Sequence, residues 1–275
     1  MSLYLSSAVE ASEQAIKRQE GDYEKNGLLY CGKCNTPKQV EIDIFGRKTK
    51  QFCMCKCIEE SYIAEQKKIT DIRKKEEIAR NREICILDID MRNCTFENDD
   101  KANLKISGMA RRYVEHFEQM KGKGLLFFGG TGVGKSFIVA CIANALIDIG
   151  YKCLVTNFPR IINELSGLYE GKQEYINDLN RYELLVIDDL AVERDTEYAA
   201  EIVQNVIDSR YRAGKPLIVT TNLQLSEILQ PKDIKRKRLF SRLKEMCLPI
   251  EVTGNDRRDK QFYQNYAEYS DMLGL

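Results

Sequence analysis

The chain has 275 residues, 43% hydrophobic and 31% charged, with five prolines and no low-complexity tract. This excludes disordered and fibrous classes and leaves length for one large domain, or a medium domain with a small one. Lysine plus arginine and aspartate plus glutamate both number 42, so the formal net charge is zero and any contact with nucleic acid must come from a local patch rather than a global field.

The opening stretch, MSLYLSSAVEASEQAIKRQE, lacks the basic start and apolar run of a secretory signal, and no window reaches about 18 apolar residues. A cytoplasmic protein without a membrane partner is expected. Ten cysteines in such a chain point to metal ligands or buried thiols before disulfides. Cys31, Cys34, Cys53, Cys55 and Cys57 cluster, whereas Cys85, Cys94, Cys141, Cys153 and Cys247 are scattered, and the single histidine, His116, nearly excludes a His-based triad. In CGKC two thiolates spaced by two residues can point at one ion, and the polar, Gly-flanked setting of Cys31 and Cys34 argues against simple burial. The second half, CMCKC, offers three thiolates for two vacancies. Residues 28–57 therefore read as a metal-stapled module, since about 30 residues alone bury too little surface to fold.

Residues 58–83, IEESYIAEQKKITDIRKKEEIARNRE, are dense in charge, free of Gly and Pro, and carry apolar residues at roughly helical spacing, which predicts a long exposed helix. The boundaries expected are 1–60 for the small module, 61–95 for a charged linker and 96–275 for the main domain. From about residue 104 short apolar runs alternate with helix-length stretches: GLLFF (124–128), CLVTN (153–157), LLVI (184–187), LIVTT (217–221) and LPIEV (248–252). Strands apolar on both faces and separated by helices predict an α/β domain with a parallel sheet.

The first strand runs into Gly129, Gly130, Thr131, Gly132, Val133, Gly134, Lys135, Ser136 and Phe137, and a helical pattern follows. Glycines let backbone N–H groups curl around phosphates, Lys135 reaches the outer phosphates, Ser136 ligates Mg²⁺, and the helix N-terminus favours negative charge. ATP with Mg²⁺ is the ligand expected. Such a loop needs an acid at the end of a nearby strand, and LLVIDDL supplies two. Asp188 fits the metal role and Asp189 can orient an attacking water; capping of the next helix suits Asp195 better than an adjacent pair. The next strand ends in TTN, where the Asn222 amide can touch the γ-phosphate or the water, although asparagine also simply terminates strands. In KDIKRKRLFSRLKEM, Arg238 and Arg242 share a helix face, either as part of a solvated basic helix or as donors to a neighbour's phosphate.

Taken in order, the phosphate loop, LLVIDDL, TTN, RLFSRL and GNDRR resemble the AAA+ ATPases of the bacterial replicative helicase loader family, the DnaC and DnaI type, over roughly residues 90–260. The resemblance implies a five-stranded parallel sheet with helices on both faces and little of the usual helical lid. Asp188 becomes the Walker B aspartate, Asp189 replaces the usual catalytic glutamate, Asn222 is sensor 1, Arg242 the arginine finger and Arg258 the sensor 2 arginine. It further implies self-association through the ATPase domain, a hexameric DnaB-type helicase as partner, and single-stranded DNA contacts at Tyr169, Thr196 and Tyr198, where stacking suits aromatic faces and core packing is the competing reading for each tyrosine. The small module resembles the family's zinc-binding part, so Cys31, Cys34, Cys55 and Cys57 are the Zn²⁺ ligands expected, with Cys53 able to displace either of the last two. A transposition helper of the IstB type and a non-hydrolysing nucleotide-binding adaptor are the competing functions.

Overall fold

The computed structural model describes residues 17–120, 122–190, 197–231 and 234–274. The chain forms two units, one ending at Glu77 and the next beginning at Ile78.

In the first unit β1 (Tyr23–Lys25) pairs antiparallel with β2 (Leu28–Tyr30), and β3 (Gln39–Ile44) with β4 (Arg47–Phe52). Both turns place their two central residues at positive φ, Asn26 and Gly27 in the first, Phe45 and Gly46 in the second, the geometry whose twist matches a hairpin. Two-stranded ribbons are marginal alone, and the buried apolar cluster here consists of Cys31, Cys55 and Ile58. An ion pair supplements it. Lys38 Nζ lies 2.7 Å from Asp22 Oδ2, with both side chains at most 1% exposed, and it also donates to the Lys17 carbonyl. The other Asp22 oxygen accepts the Gly32 N–H inside CGKC. Burial alone would raise the Asp22 carboxyl, but Lys38 and the amides of Gln19 and Gly32 outweigh it and hold it down at about 2.

Helix α1 (Lys56–Cys85) is longer than the 58–83 expected from charge density and crosses the expected boundary at residue 60. At about 1.5 Å per residue it spans about 45 Å. Its last turns belong to the second unit, where Cys85 is buried.

The second unit is built on a five-stranded sheet: β5 (Gly124–Phe128), β6 (Cys153–Thr156), β7 (Leu184–Ile187), β8 (Leu217–Thr221) and β9 (Cys247–Glu251), in the spatial order β6-β7-β8-β5-β9, with every pair parallel. Three strands match their apolar runs residue for residue. Asn157 leaves the second because its side chain accepts the Arg160 N–H and caps the following helix. The last strand starts one residue early, at Cys247.

Alternate strand residues feed two cores. Leu125, Phe127, Val155, Val186 and Ile218 pack with α3 (Leu104–Glu115) and α4 (Lys135–Asp148). Leu126, Phe128, Leu154, Leu185, Ile187 and Val219 pack with α5 (Phe158–Gly167), α7 (Glu197–Arg212) and α9 (Ile234–Met246). The shorter α2 (Ile89–Arg92), α6 (Lys172–Asp178) and α8 (Leu225–Leu229) fill connections, and α10 (Arg257–Leu273) ends the chain. Arg210 of α7, fully buried, donates to the carbonyls of Leu179, Tyr182, Glu183 and Pro216 and so staples the entrances to β7 and β8. No helix among the described residues is long and apolar enough to cross a membrane.

The Lys38–Asp22 pair gives a direct test of the first unit. Removing one member of a buried pair typically costs about 3–5 kcal/mol because the other charge is left uncompensated. Lys38→Met is expected to lower stability by that order in urea unfolding, whereas Lys56→Ala, which breaks the exposed pair with Glu60, should change it by no more than about 0.5 kcal/mol.

Candidate functional site

Ligands of open parallel sheets bind beyond the carboxyl ends of the strands. Because β8 lies between β5 and β7, the segments leaving these three strands are neighbours, and they carry the phosphate loop, Asn222 and the two aspartates.

The loop after β5 can be built only with glycine at its tight points. Gly129 has φ 144°, and a Cβ there would lie 2.2 Å from the Val252 carbonyl oxygen; at Gly132, φ 67°, it would lie 1.7 Å from the Asp256 carboxylate. Gly134, also left-handed, is the N-cap of α4. Thr131 is exposed, Val133 is buried, Ser136 lies in the first turn of α4 and Phe137 packs against the α3 and α4 core. Lys135, only 8% exposed, donates to the carbonyls of Gly129 and Gly130 and to Asn222 Oδ1 at 2.7 Å. Burial pushes its ammonium below the ordinary lysine value, against the pull of Asp189 and Asp188 and with a small contribution from Arg258.

At the end of β7 the Asp188 N–H still bonds the Thr156 carbonyl of β6 at 2.8 Å. Its carboxylate accepts from the Thr220 hydroxyl at 2.7 Å, and the same hydroxyl accepts the Asp189 N–H at 2.7 Å. Asp189 has φ 54°, a left-handed conformation that aspartate tolerates better than most residues. Asn222 Nδ2 donates to Asp189 Oδ1 at 3.3 Å. A lysine has only donors and a carboxylate only acceptors, so the Asn222 amide can join them in one orientation. The result is a hydrogen-bonded chain from Lys135 through Asn222 to Asp189.

The start of α10 packs on the loop. Asp256 caps the helix by accepting the Arg258 N–H, and the Arg257 N–H bonds the Gly132 carbonyl at 3.1 Å. The Arg257 guanidinium lies 3.1 to 3.3 Å from where a Gly134 Cβ would stand and pairs with Asp100 at 3.3 Å. Arg258, the expected sensor, is exposed. The pattern GNDRR contains both arginines, Arg257 lying against Gly134 and Arg258 near enough for its charge to act on Lys135.

The remaining expected residues lie elsewhere. Arg242 on α9 pairs with Asp208 at 3.3 Å and sits 4.3 Å from the centre of the Tyr211 ring, both on α7. Tyr169 is 103% exposed, which removes core packing as its role. Tyr198 is exposed on α7, with the Lys172 ammonium 5.3 Å above its ring. Thr196 and Asp195 fall outside the described residues.

In the first unit the Sγ atoms of Cys31, Cys34, Cys55 and Cys57 all lie within 4.8 Å of one another. The Cys31–Cys57 and Cys55–Cys57 separations are 3.6 and 3.4 Å, close to the edge of about 3.8 Å that a tetrahedron with about 2.3 Å Zn–S bonds requires. Cys53 turns away and faces the Pro37 carbonyl at 3.4 Å. Burial raises the Cys55 thiol, and the hydrogen bond from Cys55 together with burial raises that of Cys57. Cys34 is lowered: burial opposes this, but the Thr36 hydroxyl and the amides of Cys57 and Thr36 prevail. Four thiols in this geometry suit one tetrahedral thiophilic dication.

Residues 53–265 match the family model described as "IstB-like ATP binding protein". The chain is 26% identical over 185 residues to the replicative helicase loader DnaI of Bacillus subtilis (strain 168), covering 62% of this chain and 60% of that protein. It is 28% identical over 143 residues to the replicative helicase loader DnaC of Escherichia coli (strain K12), covering 50% and 58%. The chain thus spans roughly three fifths of the length of these curated relatives. A crystal structure of DnaI superposes with a TM-score of 0.52 at 25% identity, over 62% of this chain and 94% of that one. The crystal structure of the DnaC helicase loader gives 0.51 at 24%, over 60% and 100%. With the strand order, the glycine loop and the paired aspartates in place, the chain belongs to the family of IstB-like ATP binding proteins.

Proposed function

We propose that this chain is an ATPase that loads a hexameric replicative helicase onto single-stranded DNA. The observation that carries the ATPase reading is the chain Lys135–Asn222–Asp189, with Asp188 alongside. The loader reading is supported by relatives that bear that name.

Gly129 to Lys135 would hold the triphosphate, and Ser136 with Asp188 the Mg²⁺, which supplies charge neutralisation for the transferring phosphoryl group. Asp189 would accept the attacking water's hydrogen bond and Asn222 would fix its direction. Arg258, whose charge is felt at Lys135, would be the sensor arginine, and Arg257, against Gly134, a second guanidinium near the phosphates. Arg242 would serve a neighbouring copy, through exchange of its Asp208 and Tyr211 contacts for that copy's γ-phosphate, and self-association would follow ATP. The four-cysteine unit would be a Zn²⁺-organised grip on the helicase, and Tyr169 and Tyr198, the latter beside Lys172, a stacking platform for bases. A transposition helper shares the same ATPase site; co-purification with a transposase rather than a helicase would favour it.

Lys135→Ala is expected to abolish ATP binding and phosphate release, both measured with and without single-stranded DNA. Wild-type binding without phosphate release in either condition would leave a nucleotide-binding adaptor. For the metal, one zinc per chain is expected by elemental analysis, lost in Cys55→Ser and retained in Cys53→Ser; the reverse pattern would exchange the two ligands. Tyr169→Ala should weaken single-strand affinity by the equivalent of about 1–3 kcal/mol in fluorescence anisotropy, and an unchanged curve would remove it from the DNA path.

A further inference from the structure

We propose that Thr220 is a positioning residue that sets the geometry of both aspartates through one buried hydroxyl; this rests on the nucleotide-site reading above. Thr220 is 1% exposed in the interior of β8. Its strand neighbours Leu217, Ile218 and Val219 are apolar, and valine would fill the same volume. Shape and burial therefore favour a hydrocarbon here. Both hydrogen bonds of the hydroxyl go to the acid pair: it donates to Asp188 Oδ1 and accepts from the Asp189 N–H, each at 2.7 Å.

A hydroxyl carries one proton. With a lone pair committed to the Asp189 N–H, that proton is directed at Asp188 Oδ1, so the rotation of the Asp188 carboxylate is fixed and Oδ2 is the oxygen presented to a metal or its water. The same hydroxyl, as acceptor, anchors the amide of Asp189, the residue held at φ 54°. One group thus couples the direction of the metal-facing carboxylate to the backbone conformation that brings Asp189 to Asn222. The next residue, Thr221, acts differently, because its hydroxyl donates to the Leu190 carbonyl of the segment after β7 and accepts the Leu223 N–H of its own turn, touching neither acid.

Partners that orient metal ligands typically contribute about 10–100-fold to metal affinity. The test titrates Mg²⁺ into the full-length protein with a fluorescent non-hydrolysable ATP analogue and reads analogue affinity, for wild type, Thr220→Val and Thr220→Ser. Thr220→Val should raise the Mg²⁺ concentration giving half the metal-dependent gain by about 10-fold while affinity in EDTA stays at the wild-type value. Thr220→Ser, which keeps the hydroxyl, should restore the wild-type titration. The proposal is overturned if Thr220→Val titrates like wild type, if Thr220→Ser is as impaired as Thr220→Val, or if affinity falls equally with and without Mg²⁺, which would indicate a general packing role. Wild-type protein that binds no analogue overturns the nucleotide reading itself, and this inference with it.

Discussion

The site depends on one constraint of topology: β8 runs between β5 and β7, and all three are parallel. Residues separated by more than 80 positions in sequence, such as Lys135 and Asn222, meet because their strands end at the same edge. Register keeps them level. Phe128 pairs with Thr221 and Ile187 with Val219, so the glycine loop, the aspartates and the asparagine emerge within a residue or two of one another. A parallel sheet buried on both faces tolerates no register slip, since a shift by one residue would send every apolar side chain to the wrong core.

Within that frame the polar groups hydrogen-bond one another, the exposed Asn222 and Asp189 reaching back to a buried lysine. Lys135 is buried yet bonded to two loop carbonyls and an amide. Occupation by an anion would exchange these acceptors for phosphate oxygens without leaving the ammonium bare, which keeps the desolvation penalty of the empty and filled states similar. The first unit is organised on another principle. It has too small an apolar core to hold its ribbons, so four thiols and the buried Lys38–Asp22 pair do what packing does in the larger unit.

Much of this was legible in the sequence because it follows from period and spacing. Apolar runs flanked by helix-length segments located the strands of the sheet, and the phosphate loop announced its own conformation through four glycines. What stayed hidden was anything decided by a side chain's direction. GNDRR does not reveal that Arg257, rather than Arg258, lies on Gly134. CMCKC does not reveal that Cys53 faces Pro37 while its two neighbours face Cys31. Arg210 looks like an ordinary helix-surface residue, and only the fold shows it buried among four carbonyls. Thr220 falls within the run LIVTT without any mark of its own, and its hydroxyl acquires meaning only from the strand beside it.

The order of the sheet has a further consequence at its margins. One edge strand, β6, is bridged by Ile86 at Val155. The other, β9, places Pro249 opposite Leu126, and the Val252 N–H bonds inward to Phe128, so the alternation of the strand directs position 249 outward. An added strand would find no amide there to bond, and proline on an open edge is how sheets resist growing into one another. Proline at position 249 thus removes the central donor from the outer edge of β9, and a main-chain ladder laid along it would break at its middle rung.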